Sequence, residues 1–377
     1  MERRGAIFAR FAPPLLAALL LAACASTPHK PPPGPFPAPE PAPAPAPTPG
    51  PAPGPVAAPL VALNTLPGWA DEDHAAALAA FRATCHVAKD PAIAELCDRA
   101  RAEGPQNEAE ARAFLETNFR AQRVGGTGGQ GLLTAYFAPQ YEGRISRQGE
   151  FTAAVRPKPA DLDPKAVLTT PYADRATIES KPETKPLAWM RPEDLFFMQI
   201  QGSGVLTFPG GMRKKALYAA NNGQPFHGIA IPMRDRGLLP GNNTSGEAIH
   251  QWLADHRGPD ADEIMQLNTR YAFFRMADDD GQEPLGAAGL PMPVGHGIAV
   301  DHDYHPFGEL YWLDADAPTL NGAAPRYRRL VVSLDTGGAI KGEVRADLYL
   351  GTGDAAGLEA GRVKHTLVLY RLVPVAE

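Results

Sequence analysis

Asp335 and Asp347 stand twelve residues apart around the glycine-bearing segment Thr336-Gly337-Gly338-Ala339-Ile340-Lys341-Gly342, and two carboxyls so placed can do acid–base chemistry. The apolar run Leu330-Val331-Val332-Ser333-Leu334 leads into Asp335. After the glycine turn, a second run alternates Val344, Ala346 and Leu348 with Arg345, Asp347 and Tyr349. Period two therefore predicts two strands, with Asp347 on one face beside an arginine and a tyrosine. A carboxyl on a strand is better positioned than one on a loop, and partial burial raises its pKa toward the range a general acid needs. The same spacing also allows a plain strand ion pair of Asp347 with Arg345 or Lys341. An arginine aimed at Asp347 would lower its pKa, so the acid reading expects Arg345 to point elsewhere or to Asp335.

Other polar groups lie at the ends of apolar runs. Asp301 follows the short strand Ile298-Ala299-Val300 and opens the turn Asp301-His302-Asp303-Tyr304-His305-Pro306. His and Asp at this spacing can ligate a metal, but turns use Asp and Pro for their own geometry, and no metal is expected. The segment Phe196-Phe197-Met198-Gln199-Ile200-Gln201-Gly202-Ser203-Gly204 reads as a strand entering a glycine turn, with Gln201 and Ser203 on one face, suited to sugar hydroxyls and acetamides, or as a simple hairpin turn. Ser203 lacks the surroundings of a nucleophile elbow. Thr134-Ala135-Tyr136-Phe137-Ala138-Pro139 is either an aromatic sugar platform or core. No phosphate loop or dinucleotide fingerprint occurs, and no cofactor is expected.

The rest of the chain must deliver and position these groups. Arg3, Arg4 and Arg10 precede the apolar stretch from Leu15 to Ala23, which is too short to span a bilayer and ends in small residues, as a secretory signal does over 1–23. Its end, Leu21-Ala22-Ala23-Cys24, resembles a bacterial lipobox; the expectation is cleavage before Cys24, lipidation of Cys24, and, with Ser26 two positions on, outer-membrane export. Pro31 to Pro59 holds fifteen prolines in twenty-nine residues. As polyproline II at about 3.1 Å per residue this linker, 24–59 with the cysteine, reaches roughly 90 Å.

Residues from about 60 onward suffice for one large or two modest cores. Net charge is -6 with scattered cations, which leaves no footprint for nucleic acid. Asp71-Glu72-Asp73 predicts a helix through Ala76, Leu78, Phe81 and Cys85, with further helices near Ile93 to Ala102 and Glu108 to Phe119. Beyond Gly131, short strands between Gly, Pro and Asp turns predict a barrel or sandwich, interrupted by helices over Ser245 to His256 and Asp262 to Leu267. Cys85 and Cys97 either pair as a disulfide, which the secreted context favours, or stay reduced in the core.

Four segments, in order, resemble the membrane-bound lytic transglycosylase A family of bacterial murein-degrading enzymes: Tyr136-Phe137-Ala138-Pro139, Gln201-Gly202-Ser203-Gly204, Tyr218-Ala219-Ala220-Asn221-Asn222-Gly223-Gln224-Pro225, and the C-terminal block ending Gly351-Thr352-Gly353-Asp354-Ala355-Ala356-Gly357. The last looks like a three-aspartate domain, whose namesakes are Asp301, Asp335 and Asp347. The resemblance covers about 131–371. It implies a mainly β fold with an N-terminal helical segment: a double-ψ β-barrel, a second barrel-like β domain inserted in it, and a substrate groove between them. The expected divisions are 60–149 for the helical segment and first barrel part, 150–270 for the insert and 271–377 for the rest of the barrel. One departure is Phe137, where the family commonly has a second tyrosine.

The resemblance places the catalytic aspartate at Asp347, with Asp335 and Asp301 in support, and substrate contacts at Tyr136, Gln201, Gly202, Ser203, Gly204, Gly337 and Lys341. Ordinary glycosidases need two carboxylates. In a lytic transglycosylase one suffices, because the muramic acid C6 hydroxyl attacks its own anomeric carbon. The expected partners are the peptidoglycan strand and the membrane through Cys24; the sequence specifies no partner in cell-wall synthesis. A two-carboxylate peptidoglycan hydrolase and a non-enzymatic peptidoglycan tether remain the competing readings.

Overall fold

The computed structural model describes residues 58–125 and 130–375; the expected leader, Cys24 and all but the last two residues of the linker lie outside them. The first described strand, β1 (Leu60–Ala62), pairs with β2 (Phe119–Arg123). Between them come α1 (His74–Thr84), α2 (Pro91–Glu103) and α3 (Glu108–Asn118). Each start is signalled locally. The Asp73 carboxylate accepts from the Ala76 N–H, Asp90 accepts from Ala92 with Pro91 in the first turn, and Asn107 and Glu110 form a reciprocal capping box. Cys85, just past α1, is bonded to Cys97 on α2 with a Cα–Cα distance of 5.6 Å. Around them Phe81, Ile93, Leu96, Phe114 and Leu115 join Trp69, Trp312 and Leu330 in one buried cluster, which ties the helices to the barrel.

The barrel begins with β3 (Gly131–Ala138). The chain then leaves it for β4 (Gln140–Glu142), β5 (Ala153–Val155), α4 (Arg175–Ser180), β6 (Ala188–Met190), α5 (Pro192–Gln201), β7 (Gly204–Thr207), β8 (Arg213–Asn221), α6 (Ala230–Asp235), α7 (Gly246–Asp255), α8 (Pro259–Gln266) and β9 (Ala272–Asp278). Strands β4, β7, β8 and β9 form one sheet, and β5 pairs with β6. The strands of these two sheets run from residue 140 to residue 278.

The chain returns through β10 (Gly297–Val300), β11 (Leu310–Ala315), β12 (Tyr327–Asp335), β13 (Arg345–Thr352), α9 (Asp354–Ala360) and β14 (Lys364–Pro374). The order β14-β11-β12-β10-β13-β3 closes on itself because β14 also pairs with β3, so no barrel edge is left open. Pairs β10–β12 and β13–β3 are parallel and the other barrel pairs antiparallel. This closed, mixed barrel with an inserted β domain is the expected fold class. Alternating residues fill its interior, among them Ile298, Val300, Tyr311, Leu313, Val331, Ala346, Leu348, Leu367 and Leu369.

One element differs in kind from the sequence reading. Residues from Phe196 to Gln201 are helix, not strand. The run Phe196-Phe197-Met198 is apolar without alternation, and such a run fits a strand or a buried helix equally. Pro192 in the first turn, Glu193 and Asp194 beside it, and Gly202 in the left-handed conformation after the last turn decide for helix.

The bond between Cys85 and Cys97 closes a short loop and should contribute about 3 kcal/mol. Cys85→Ser with Cys97→Ser is expected to lower unfolding free energy in urea by about that amount, and reduction of the wild type should reproduce the loss. A double variant as stable as the oxidised wild type would contradict it.

Candidate active site

The two aspartates meet through a third strand. β10 lies between β12 and β13, and its Ala299 is in register with Asp335 on one side and Asp347 on the other. A register irregularity between Ile298 and Ala299 brings Asp335 into that row. Two inter-strand spacings put the aspartate backbones about 10 Å apart. Ile298 and Val300 point into the barrel, so the row of Asp335, Ala299 and Asp347 faces outward, with only a methyl between the carboxyls.

Asp347 also lies opposite Thr134 across the parallel β13–β3 seam, and the Thr134 hydroxyl donates to its Oδ1. The direction of that bond is forced. Arg345 Nη2 donates to Thr134 Oγ1 at 2.8 Å, so the threonine oxygen is an acceptor there and spends its proton on Asp347. The other contacts of Arg345 are the carbonyls of Leu132 at 3.3 Å and Ala346 at 2.6 Å. Among the described residues Arg345 thus forms no salt bridge with either carboxylate, but it shares Thr134 with Asp347 and its charge still acts there. Burial pushes the Asp347 pKa up to about 6; the Thr134 hydrogen bond and the Arg345 charge oppose that rise, and the Asp335 charge adds to it.

Asp335 is an acceptor on every side. Tyr136 donates to Oδ2 at 2.7 Å, and the N–H groups of Ala287 and Thr336 donate to Oδ1 at 2.9 Å each. Burial still holds its pKa above the ordinary carboxylate value, against those three bonds. Tyr136 packs on Tyr349 with ring centroids 5.1 Å apart, and Tyr349 and Thr352 both donate to Glu283 Oε2 at 2.6 Å. Tyr136 thus packs against the core cluster and donates to Asp335.

Asp301 is engaged elsewhere. Its carboxylate, 2% exposed, accepts from Lys341 Nζ at 3.0 Å and from the Gly342 N–H at 2.8 Å. Burial alone would raise its pKa, but these donors outweigh burial and lower it. Asp301 thus braces the glycine turn from behind, and the ion pair that sequence allowed at Asp347 is made here by Lys341. With Asp301 so occupied, the acidic group Asp301, His302 and Asp303 is a turn with its buried carboxylate already satisfied. Gly337 lies in the same turn, with its carbonyl accepting from the Ile340 N–H at 3.0 Å.

The insert supplies the other wall. Gln201 Oε1 accepts from the Phe137 N–H at 3.3 Å, which ties the end of α5 to β3. Gly202 has φ +88 and ends the helix; at Gly204 a Cβ would come within 2.9 Å of Met198 Sδ and 3.0 Å of the Pro139 carbonyl oxygen. These glycines serve the backbone's path, and the half-buried Ser203 lies between them. Opposite the glycine turn that follows Asp335 stand Tyr218 and Arg270. Burial raises the Tyr218 pKa, the Arg270 charge lowers it and the Asp335 charge raises it, so this hydroxyl lies within reach of both charges. Sequence reasoning gave no individual role to Thr134, Arg270 or Glu283. Only the parallel register and the long return of the insert onto the barrel bring them here.

The family descriptions "MltA specific insert domain" and "3D domain" match residues 132–275 and 296–373. A membrane-bound lytic murein transglycosylase A of Vibrio cholerae is 31% identical over 271 residues, 69% of this chain and 70% of its own length. The chain belongs to the membrane-bound lytic murein transglycosylase A family. The Escherichia coli K12 member is also 31% identical, over 243 residues; that match takes in 62% of this chain and 63% of the relative's length, so the chain spans less than two thirds of it. The crystal structure of a membrane-bound lytic murein transglycosylase from Agrobacterium tumefaciens superposes with a TM-score of 0.70 at 31% identity, covering 84% of this chain and 97% of that one. In this family member the row of Asp335, Ala299 and Asp347 falls within the matched three-aspartate block.

A carboxyl whose folded pKa is about 6 against an ordinary 3.8 favours folding most while protonated; that advantage is lost as pH rises through 6. Asp347→Asn should therefore be more stable than wild type at pH 8, by about 1–3 kcal/mol, with the gap closing below pH of about 4. Urea melts across pH check this; a gap independent of pH would contradict it.

Proposed function

We propose that this protein is a peptidoglycan lytic transglycosylase that cleaves the β-1,4 bond between N-acetylmuramic acid and N-acetylglucosamine and leaves a 1,6-anhydromuramoyl end. The observation that carries this reading is the state of the two neighbouring carboxyls. Asp347 has a pKa of about 6 and one protein donor, Thr134. Asp335 is fully engaged by Tyr136, Ala287 and Thr336. One carboxyl is thus poised to exchange a proton, and the other is committed to holding its surroundings.

In the proposed reaction, protonated Asp347 gives its proton to the glycosidic oxygen as that oxygen leaves the muramoyl C1. The C6 hydroxyl of the same ring forms the new bond to C1, and the Asp347 carboxylate takes the hydroxyl proton. The acid is regenerated, and the overall change is an intramolecular exchange of one C–O bond for another without water. Thr134 keeps Asp347 oriented through both halves. Asp335 adds charge that keeps the acid protonated, and Tyr136, held against Tyr349, keeps Asp335 in place. The groove residues Gln201, Gly202, Ser203, Gly204, Gly337 and Lys341 would border the strand, with Gln201, Gly202 and Gly204 shaping the wall.

The E. coli and V. cholerae relatives are named as membrane-bound. Among the described residues no helix is long and apolar enough to cross a membrane. We infer that lipid on Cys24 holds the protein to the outer membrane on its periplasmic side, with the proline-rich segment as the tether. Cys24→Ser is expected to shift the protein from the membrane pellet to the soluble fraction; retention in the pellet would overturn the anchor.

Mass spectrometry of fragments released from purified murein sacculi tests the activity. Wild type should release anhydromuropeptides, with the initial rate falling as pH rises above about 6 as Asp347 loses its proton. Asp347→Asn should lower release by about 1,000-fold or more. Reducing-end products would point to a two-carboxylate hydrolase. Binding without release by folded wild type would point to a tether.

A further inference from the structure

The insert carries a cation that the reaction above does not use. Arg270 lies on the short link between α8 and β9, and this link is held rigidly from behind. Arg175, 2% exposed, donates Nε to the Asn268 carbonyl at 2.9 Å and Nη2 to the Arg270 carbonyl at 2.8 Å. Asn222, fully buried, donates to the Thr269 carbonyl at 2.9 Å and accepts from the Tyr271 N–H at 2.9 Å. So much fixed backbone holds the Arg270 side chain at a set place on the wall.

The guanidinium itself is scarcely partnered. Its hydrogen bond to the protein is Nη1 to the Gln224 carbonyl at 3.1 Å, and it forms no salt bridge among the described residues. A guanidinium has five N–H donors in a planar fork matched to a carboxylate, and a half-buried cation without an anion is costly to keep. Burial lowers its pKa, and no carboxylate restores it. A second observation comes from the opposite wall. A Cβ on Gly338 would lie 3.0 Å from Arg270 Cζ, while the backbone of Gly338 lies outside the left-handed region that demands glycine. Glycine at this place in the catalytic turn leaves room for the guanidinium. Arg270 thus reaches from the insert to the turn that follows Asp335.

We propose that Arg270 is a carboxylate receptor in the groove, binding an acid group carried by the muramoyl residue and so distinguishing muramoyl from glucosaminyl rings. This rests on the peptidoglycan reading. The acid is the lactyl carboxylate in strands stripped of peptide, or a carboxylate of the stem peptide in intact ones; a plain N-acetylglucosamine chain carries neither. Two parallel charge-assisted hydrogen bonds give the site its selectivity. Arg270 is a specificity residue and takes no part in the proton transfers.

The test measures dissociation constants of the full chain, in detergent and in an Asp347→Asn background, for intact glycan strands, amidase-stripped strands and chitohexaose. Arg270→Ala should weaken at least one carboxylate-bearing ligand about 10- to 100-fold and leave chitohexaose within about twofold. Loss confined to intact strands assigns the stem peptide, and loss confined to stripped strands assigns the lactyl group; either upholds the proposal. Gly338→Ala, which crowds the guanidinium from the other side, should give the same selective loss. Arg270→Lys, which keeps the charge and discards the fork, should recover only part of it. Equal weakening for chitohexaose, or no weakening for any ligand, overturns the proposal. The peptidoglycan reading is judged separately, by anhydromuropeptide release from the protein with Asp347 intact.

Discussion

The chemistry of the site depends on one piece of strand geometry: β10 runs between β12 and β13 with Ala299 in register with both Asp335 and Asp347. Because the strands belong to a closed barrel, that register is held from all sides and cannot slip by one residue without turning Ile298, Val300, Ala346 and Leu348 out of the core. The apolar interior therefore fixes the placement of two polar groups on its outer face. Closure also fixes the backbone beneath that carboxyl, which is paired on both sides, to β10 and to β3, while burial of the side chain raises its pKa.

Around that row the two halves of the molecule divide the work. The barrel carries Asp347, Asp335 beside it and the hydroxyls of Thr134 and Tyr136 that bond to each. Asp301, tied to Lys341 and Gly342, keeps the intervening turn in shape. The insert supplies a wall whose polar groups are fixed by buried partners of their own, as Arg175 and Asn222 fix the link before β9. The contact of Gln201 with Phe137 joins the insert to the barrel. Asp347 is thus placed by strand pairing, while the wall is held by side chains reaching backbone carbonyls.

Much of the barrel was legible in the sequence. The strands ending at Val300, Asp335 and Thr352 show themselves by apolar runs or period-two alternation, and the first helix before them by Asp73. Where apolar residues did not alternate, as at Phe196 to Met198, length and pattern left helix and strand equal, and the signals at Pro192 and Gly202 carried the answer. The row of Asp335, Ala299 and Asp347 was legible only in part. Local pattern places Asp335 and Asp347 on strands, but the pairing of each with Ala299 is a long-range register that no local signal encodes. For the same reason Thr134, distant in sequence from Asp347, had no visible role. Asp301 shows the converse: a carboxylate at a strand end looked like a third member of the site, and its neighbours Lys341 and Gly342 had already claimed it.

The central claim is that a single carboxyl exchanges one C–O bond for another within the substrate, so that water never enters the product. Digesting murein with the wild-type protein in water enriched in oxygen-18, followed by mass spectrometry of the new glycan ends, tests this most directly. Products should carry natural oxygen mass at every cleaved bond. Incorporation of one heavy oxygen per cleavage would contradict it and assign the activating role to a second carboxylate.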